Sequence, residues 1–284
     1  MSRLEATTVA GRYVLVDPIG AGGMGSVWRA YDVRTQRWVA AKVLAATDSA
    51  ALLRFVGEQG VRIVHPHVVA PTSWAAEDAS VLFAMDLVRG GTLADLRAEH
   101  GPLPLDFVVV LLDQLLAALA AVHAAGVVHR DVKPANLLLE VTGSGLPHLR
   151  LADFGVAAVA TSSCPGTVGT DGYLPPEQAL GAPPEPRADL YAAGRVAERM
   201  LSTRQAEPIA PLLAALTAAD PGLRPPSARQ ARRMLRQHRP PPGRAPRSRQ
   251  WPTVTDRLGD AQLDVRRALA LDLPRRRRAP RFWW

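Results

Sequence analysis

The chain has 284 residues, of which 34 are basic and 26 acidic, so its formal net charge is +8. Hydrophobic residues make up 48% and charged residues 21%, a balance typical of globular proteins that excludes a disordered chain or a small disulfide scaffold. The single cysteine, Cys164, excludes an internal disulfide and fits a reducing compartment. The first residues lack a basic stretch followed by an apolar core, so we expect no secretory signal and a cytoplasmic location.

The positive charge is concentrated at the C-terminal end. Residues 239–284 hold 12 arginines and 4 aspartates, whereas residues 1–238 are balanced, with 22 basic and 22 acidic side chains. The proline- and arginine-rich composition of this tail predicts an extended, flexible segment, with a short amphipathic helix possible over 253–271. Arginines beside the terminal Phe-Trp-Trp suit an anionic membrane surface. The alternative is a solvated tail or one folded back onto the body.

Patterning divides the chain near residue 87. Stretches rich in β-branched and aromatic residues predict strands over 12–19, 26–31, 37–44, 67–74 and 80–87, with one helix over 49–64. Helical spacing then predicts helices over 92–99, 105–125, 175–180, 187–202, 208–219 and 226–238, interrupted by a hairpin over 137–152. We therefore expect a β-rich region over 1–87, a helical region over 88–238 and the tail over 239–284.

The most apolar stretch runs over 107–128. Asp113, Gln114 and His123 interrupt it, and a membrane span needs about 20 residues with almost no charge. A buried amphipathic helix is the better interpretation.

Two residue types are rare enough to be informative. The chain has 32 arginines but only two lysines, Lys42 and Lys133, and a single asparagine, Asn136. A lysine is a compact point charge that a planar arginine does not replace at a phosphate site. Chance survival in an arginine-rich sequence is the alternative, and it weakens because these residues fall within two motifs.

The first motif is a glycine-rich stretch between two predicted strands, G-A-G-G-M-G-S-V over residues 20–27. Glycines allow backbone amides to approach phosphates closely. A dinucleotide fold needs a helix directly after the last glycine, but a strand follows here, which indicates a phosphate-covering flap. Lys42 lies on the third strand, 17 residues past Gly25. Glu58, on the predicted helix, is the acid that could orient it.

The second motif is the strongest signal. Residues 129–136 read H-R-D-V-K-P-A-N, with Asp131, Lys133 and Asn136 at fixed spacing, and Asp153-Phe154-Gly155 follows the hairpin. At this point the sequence resembles the eukaryotic-like (Hanks-type) serine/threonine protein kinases, especially their bacterial branch, over about residues 11–236. Further motifs fit: G-T-D-G-Y-L-P-P-E over 169–177, D-L-Y-A-A-G over 189–194, and Arg224, which matches the arginine that pairs with Glu177.

The resemblance implies an α+β, bilobal protein-kinase-like fold with a small β-rich N-lobe and a larger, mainly helical C-lobe. Only 30 residues separate Gly194 from Arg224, so we expect the lower part of the C-lobe to be shortened. It also implies ATP as the phosphate donor, protein Ser/Thr hydroxyls as acceptors, and Mg²⁺ as the metal, with Mn²⁺ as an alternative. Self-phosphorylation in trans within the segment after Asp153 is expected, with Thr161, Ser162, Ser163 and Thr167 as available hydroxyls.

By the same resemblance, Asp131 is the catalytic carboxylate, Lys133 neutralises the γ-phosphate, Lys42 holds the α- and β-phosphates, and Glu58 fixes Lys42. Thr170 fits the serine/threonine pattern, and Asn136 and Asp153 are the metal ligands. The nucleotide-binding residues are then Gly20, Ala21, Gly22, Gly23, Met24, Gly25, Val27, Ala40, Lys42, Met85, Asp86, Val88, Asp95 and Leu138. Val27 and Ala40 cover the adenine from above and Leu138 from below, Met85 to Val88 form the linker between the lobes, and Asp95 reaches the ribose.

Two other function classes compete with an active kinase. A pseudokinase, acting as a nucleotide-sensing scaffold, would share the fold, but every motif residue that transfer needs is present. The basic tail suggests a nucleic-acid binder, but the electrically balanced body argues against nucleic acid as a partner.

Overall fold

The structure is a computed structural model, and it describes residues 7–22, 25–45, 63–77, 80–153, 172–183, 185–237 and 251–259. These residues group into two compact units. The first holds residues 7–45, 71–87 and 258–259, and the second holds residues 63–70 and 88–257. The chain passes from the first unit to the second after Leu87, and the expected α+β, bilobal class is confirmed.

The first unit is a six-stranded antiparallel sheet with the order β1-β2-β3-β4-β6-β5. Its strands are β1 (Thr7–Val9), β2 (Tyr13–Gly22), β3 (Gly25–Asp32), β4 (Arg37–Ala45), β5 (Pro71–Glu77) and β6 (Ser80–Asp86). Alternate side chains, among them Tyr13, Ala41 and Leu82, are fully buried and form its core. The sequence predicts five strands. It misses β1, because three residues are too short to show a period.

The strand predicted over 67–74 begins instead at Pro71. The residues before it are paired elsewhere: the Val69 amide donates to the Leu151 carbonyl, and the Leu151 amide donates to the His67 carbonyl. The residues predicted as one strand therefore belong to two units, which the local sequence pattern does not separate.

The second unit is mainly helical and contains one small hairpin. Its elements are α1 (Leu93–His100), α2 (Leu105–Ala124), β7 (Leu137–Leu139), β8 (Leu149–Leu151), α3 (Pro176–Ala179), α4 (Pro186–Met200), α5 (Thr203–Ala206), α6 (Ala210–Leu216) and α7 (Ala228–Gln237). Three-residue 3₁₀ turns lie at Pro134–Asn136, Glu207–Ile209 and Pro221–Leu223. Each helix predicted over these residues is present within a few positions. The predicted helix over 49–64 lies outside the described residues, apart from Ile63 and Val64, which are not helical.

The long helix α2 forms the centre of the second unit and has 12 buried residues. Among the described residues it alone is long and apolar enough to cross a membrane, and 72% of its most apolar window is buried within the protein. Its polar positions have partners there. Asp113 pairs with Arg232 at 2.8 Å, and the Gln114 side chain donates to the Pro147 carbonyl and accepts from the Leu149 amide. The interruptions of the apolar stretch are thus specific contacts of a core helix.

Part of the predicted tail is ordered. Residues 251–259 contain no helix, so the amphipathic helix predicted over 253–271 is wrong for its first seven residues. The physical reason is a tertiary contact, because Val254 exchanges both backbone hydrogen bonds with Gly143 and its side chain is 2% exposed. A backbone held in that extended pairing cannot also form helical bonds.

Candidate active site

The loop over residues 129–136 brings together two predicted catalytic residues, Asp131 and Lys133, and one predicted metal ligand, Asn136. The Lys133 ammonium lies 2.8 Å from Oδ2 of Asp131. The Asn136 amide nitrogen donates to the backbone carbonyl of Asp131 at 2.8 Å and to the same Oδ2 at 2.9 Å. Lys133 and the Asn136 side chain both contact Oδ2, so neither of these two contacts uses Oδ1 of Asp131.

A buried histidine, His129, holds the same loop in place through hydrogen bonds. His129 is fully buried, its Nε2 donates to the Ala152 carbonyl at 3.0 Å, and its Nδ1 accepts the Asp131 amide at 3.3 Å. Burial lowers the pKa of His129, although the charge of Asp189 acts in the opposite direction. The imidazole is therefore neutral near pH 7, with its proton on Nε2. In this form it links Asp131 to the strand that leads to Asp153.

Asp189, at the start of α4, anchors the loop from another part of the chain. Its side chain is 1% exposed and accepts the backbone amide of His129 at 2.8 Å and that of Arg130 at 2.9 Å. Nε2 of His123, on α2, lies 2.7 Å from the same carboxylate. Arg130 has a φ of +69°, a left-handed conformation that costs free energy in a residue other than glycine. The hydrogen bonds that the two backbone amides donate to this buried carboxylate compensate for that cost.

The predicted metal ligands lie at one end of the β7–β8 hairpin. Asn136 directly precedes β7 and Asp153 follows β8, and Leu137 pairs with Leu151 in the register between them. The Ala152 amide donates to the Asn136 carbonyl at 2.9 Å, which ties the two ligand-bearing backbones together. Asp153 has a φ of +61°, so its direction is set by an unusual backbone conformation.

The donor set fits a hard divalent cation. The Asn136 amide nitrogen faces the oxygens of Asp131, so its amide oxygen points the other way and remains a donor for a cation. An amide oxygen and a carboxylate are ligands that Mg²⁺ accepts, with phosphate oxygens and waters completing the shell. Among the described residues there is no cluster of three His, Cys, Asp or Glu side chains that could hold a metal alone.

An ion pair fixes the segment that precedes α4. Arg224 forms two hydrogen bonds with Glu177, of 2.7 and 2.8 Å, and its side chain is completely buried. Its guanidinium also donates to the carbonyls of Ala218 and Arg187. Burial acts to raise the pKa of Glu177, but the hydrogen bonds and charge of Arg224 outweigh burial, so this pKa is lowered. The pairing predicted from the P-P-E motif is confirmed.

In the first unit, strand register places the nucleotide-binding candidates. Backbone pairs Gly20–Val27, Ala21–Ser26 and Gly22–Gly25 make the glycine-rich stretch the turn of the β2–β3 hairpin. Gly25 has a φ of +142°, and a Cβ there would lie 2.2 Å from the Val43 carbonyl oxygen. The backbone approach therefore requires glycine at this position.

The same register brings the adenine candidates of the first unit to neighbouring strands. Val27 of β3 is opposite Lys42 of β4, and Ala40 of β4 is opposite Met85 of β6. Lys42 is 8% exposed and Met85 is 9% exposed, whereas Asp86 is exposed. A nearly buried lysine on a central strand is held in place by the sheet, as a positioned phosphate ligand requires.

In the second unit, Val88 is buried, Leu138 is partly buried, and Asp95 serves as a helix cap. Oδ2 of Asp95 accepts the Thr92 amide at 2.9 Å, and Oγ1 of Thr92 accepts the Asp95 amide at 3.1 Å, which forms a capping box at α1. A contact of Asp95 with the ribose is compatible with its other oxygen and remains a prediction. Glu58, Gly23, Met24 and Thr170 lie outside the described residues.

Two supporting residues are absent from the sequence-predicted site. His123 contacts Asp189, and Gln114 links α2 to the strand that leads to Asp153. Both interrupt an apolar helix. A polar residue on an otherwise buried face is a signal for a partner, although the partner itself cannot be named from spacing.

A family profile described as "Protein kinase domain" matches residues 13–209. The chain belongs to the protein kinase family. It is similar to the serine/threonine-protein kinases PknL of Mycobacterium tuberculosis (strain ATCC 25618 / H37Rv) and PkaA of Streptomyces coelicolor (strain ATCC BAA-471 / A3(2) / M145). The identities are 39% over 208 residues and 38% over 218 residues. These matches cover 70% and 69% of this chain. They support a Hanks-type kinase of the bacterial serine/threonine branch.

The chain spans about half of PknL, 51%, and 40% of PkaA. The crystal structure of the Mycobacterium tuberculosis PknI kinase domain aligns with a TM-score of 0.66 at 27% identity. That alignment covers 84% of this chain and 100% of the PknI chain. The chain therefore has the protein kinase fold.

Proposed function

We propose that this protein transfers the γ-phosphate of ATP to Ser and Thr hydroxyls of protein substrates. The observation that carries the proposal is the contact set of Asp131, whose carboxylate is held by Lys133 at 2.8 Å and by Asn136 at 2.9 Å. Phosphoryl transfer depends on positioning and on charge neutralisation. A carboxylate fixed between a cation and a metal-ligand candidate meets the first requirement.

Asp131 orients the acceptor hydroxyl and accepts its proton. As the hydroxyl oxygen forms its bond to the γ-phosphorus, the bond from that phosphorus to the bridging oxygen breaks, and ADP leaves with the electron pair. Lys133, beside Asp131, neutralises charge on the transferred group, and Lys42 holds the α- and β-phosphates. Asn136 and Asp153 would hold Mg²⁺, or Mn²⁺ in its place, which when bound neutralises charge on the phosphate oxygens.

The test is transfer of radiolabelled phosphate from ATP to the protein itself and to a basic protein. Lys42→Arg keeps the charge but changes its shape and reach, and Asp131→Asn removes the proton acceptor. We expect both to lose at least about 100-fold in rate, because Asp131→Asn removes a general base and Lys42→Arg misplaces a charge that stabilises the phosphates. Their melting temperatures should be unchanged. Near-normal transfer by either variant would falsify its assignment. No transfer by the native chain, with ATP still bound, would favour a pseudokinase.

We also propose that activity includes phosphorylation of one copy by another. The hydroxyls of Thr161, Ser162, Ser163 and Thr167 are the acceptors in the segment that follows Asp153. Mass spectrometry of the ATP-treated chain should find phosphate between residues 161 and 170. Mixing an Asp131→Asn copy with active protein should phosphorylate the inactive copy if transfer is in trans. Asp131→Asn incubated alone should carry none.

For location, we propose a cytoplasmic protein whose last residues can meet an anionic membrane surface. The support is the composition of the end of the chain, with four arginines at 275–278 and then Arg281-Phe282-Trp283-Trp284. Co-sedimentation with anionic vesicles, reduced by salt and absent with neutral vesicles, tests it. Equal pelleting of the full chain and a chain lacking residues 260–284 would exclude this anchor.

A further inference from the structure

Residues 251–257 form a segment, here called the strap, that is docked on the second unit. Trp251 Nε1 donates to the Asp106 carboxylate at 2.7 Å, and its ring packs edge-on against Phe107 with centroids 5.5 Å apart. The backbone amides of Val254 and Gly143 each donate to the carbonyl of the other residue, and Val254 is 2% exposed. The strap therefore has two apolar anchors and a backbone pairing, which an incidental contact of a tail does not provide.

The end of the strap contacts the residues that directly follow Leu87. Asp256 pairs with Arg89 at 2.7 Å, and the Arg257 amide donates to the Arg89 carbonyl at 2.8 Å. The Arg257 guanidinium reaches Glu99 of α1 at 2.6 Å. Side chains and backbone of the strap thus hold both ends of the segment from Arg89 to Glu99.

Two glycines in that segment are fitted to the strap. A Cβ on Gly90 would lie 2.3 Å from the Leu139 carbonyl oxygen and 2.7 Å from a methyl of Val254. A Cβ on Gly91, which has a φ of +79°, would lie 2.3 Å from the Arg257 side chain and 3.3 Å from the Asp95 carboxylate. The absence of side chains lets Val254 and Arg257 lie directly on this backbone.

We propose that the strap is a positioning element for nucleotide binding, acting through the segment 88–99. This rests on the proposed function, because Val88 and Asp95 are the nucleotide-binding candidates within that segment. The strap contacts Arg89 and Gly91, which precede Asp95 in the chain, and Glu99, which follows it. Asp95 is therefore restrained from both sides. Arg257 is the central positioning residue, since it contacts the backbone of Arg89, the surface of Gly91 and the side chain of Glu99.

The test compares full-length variants in a charge-swap cycle. Arg257→Glu places two negative charges opposite each other, and Glu99→Arg places two positive charges there. The double variant restores a pair of opposite charges. We expect each single variant to raise the KM for ATP about fivefold, equivalent to ~1 kcal/mol, with kcat changed less than about twofold. The double variant should recover most of this loss. Arg233→Glu, on the exposed face of α7, is the matched control and should leave the KM for ATP unchanged.

Amide hydrogen exchange provides a measurement that does not depend on transfer. Arg257→Glu and Val254→Asp, which places a charge at a buried site, should both speed exchange over residues 88–99, while α7 stays unchanged. If the native chain transfers no phosphate, the proposed function fails, but the strap is still judged by this exchange and by a titration with fluorescent ATP. Unchanged exchange over 88–99 in both variants, or a raised KM that the double variant does not recover, would overturn the proposal.

Discussion

Asp189 accepts the backbone amide of Arg130, the residue directly before Asp131, at 2.9 Å. The two residues are 59 positions apart, and the carboxylate is almost completely buried. Because Arg130 is held in a left-handed conformation, the direction of the next side chain depends on this contact. The position of the proposed catalytic carboxylate is therefore set by a residue that belongs to a different helix.

Asp189→Asn should lower both stability and transfer. The amide presents one oxygen where the structure requires two acceptors for the His129 and Arg130 amides, so one buried N–H loses its partner. We expect a loss of about 1.5–3 kcal/mol in the free energy of unfolding, the range for hydrogen bonds to charged groups. Chemical denaturation measures it, and transfer assays should show a fall in kcat.

Asp17→Asn is the control for that variant, because Asp17 is about one-third exposed and pairs with Arg29 across β2 and β3 of the first unit. An opposite-charge pair directly across an antiparallel ladder contributes about 0.2–1 kcal/mol. Equal losses in the two variants would contradict the anchoring role of Asp189.

The pair of Glu177 and Arg224 predicts an unequal response to two substitutions. Glu177→Gln keeps one acceptor for the guanidinium, whereas Arg224→Ala leaves Glu177 and three backbone carbonyls without their donor. We expect Arg224→Ala to destabilise by about 3–5 kcal/mol, since it removes a completely buried side chain and leaves several acceptors unpaired. Glu177→Gln should cost less. Thermal unfolding of both variants measures the difference, and the reverse order would contradict it.

We expect acid to lower the stability of the first unit through protonation of Asp32. Two hydrogen bonds from Arg12, of 2.9 and 2.6 Å, lower the pKa of Asp32 to about 2, although burial acts to raise it. The folded value lies below the unfolded value of about 3.9. The ionised carboxylate therefore contributes about 2 kcal/mol of stability above pH 4, which is lost as the pH falls from about 4 to about 2.

Asp32→Asn should be less stable than the native chain at pH 7, and the difference should shrink toward pH 2. Denaturant titrations at several pH values measure this difference. A constant gap between pH 7 and pH 2 would show that the Arg12 pair does not set the pKa of Asp32.

The metal ligands predict graded effects on Mg²⁺ dependence. Asp153→Asn removes a full charge, whereas Asn136→Ala removes a neutral amide oxygen and also the two hydrogen bonds to Asp131. We expect both to raise the Mg²⁺ concentration needed for half-maximal transfer, Asp153→Asn by at least about tenfold. Asn136→Ala should additionally lower kcat at saturating Mg²⁺. Transfer that persists in EDTA would contradict a metal at these residues.

Local patterns account for the parts of the site that lie close together along the chain. The H-R-D-x-K-x-x-N spacing indicated Asp131, Lys133 and Asn136 before any geometry, because one loop carries all three and its backbone sets their separation. Stretches rich in β-branched and aromatic residues on both sides of the glycine-rich stretch likewise predicted the β2–β3 hairpin and the strand position of Lys42. The period of 3.6 found the long helices within a few residues, because each has a buried face.

Contacts between distant segments depended on the tertiary structure. Composition predicted a flexible tail, yet Val254 is buried and paired with Gly143, 111 positions away. His123 and Gln114 were visible as polar interruptions of α2, but only the packing of α4 and of the β7–β8 hairpin identified Asp189 and Leu149 as their partners. A one-dimensional pattern records which faces are buried. The partner of a buried polar group depends on which elements meet, and that is decided by the packing of the whole unit.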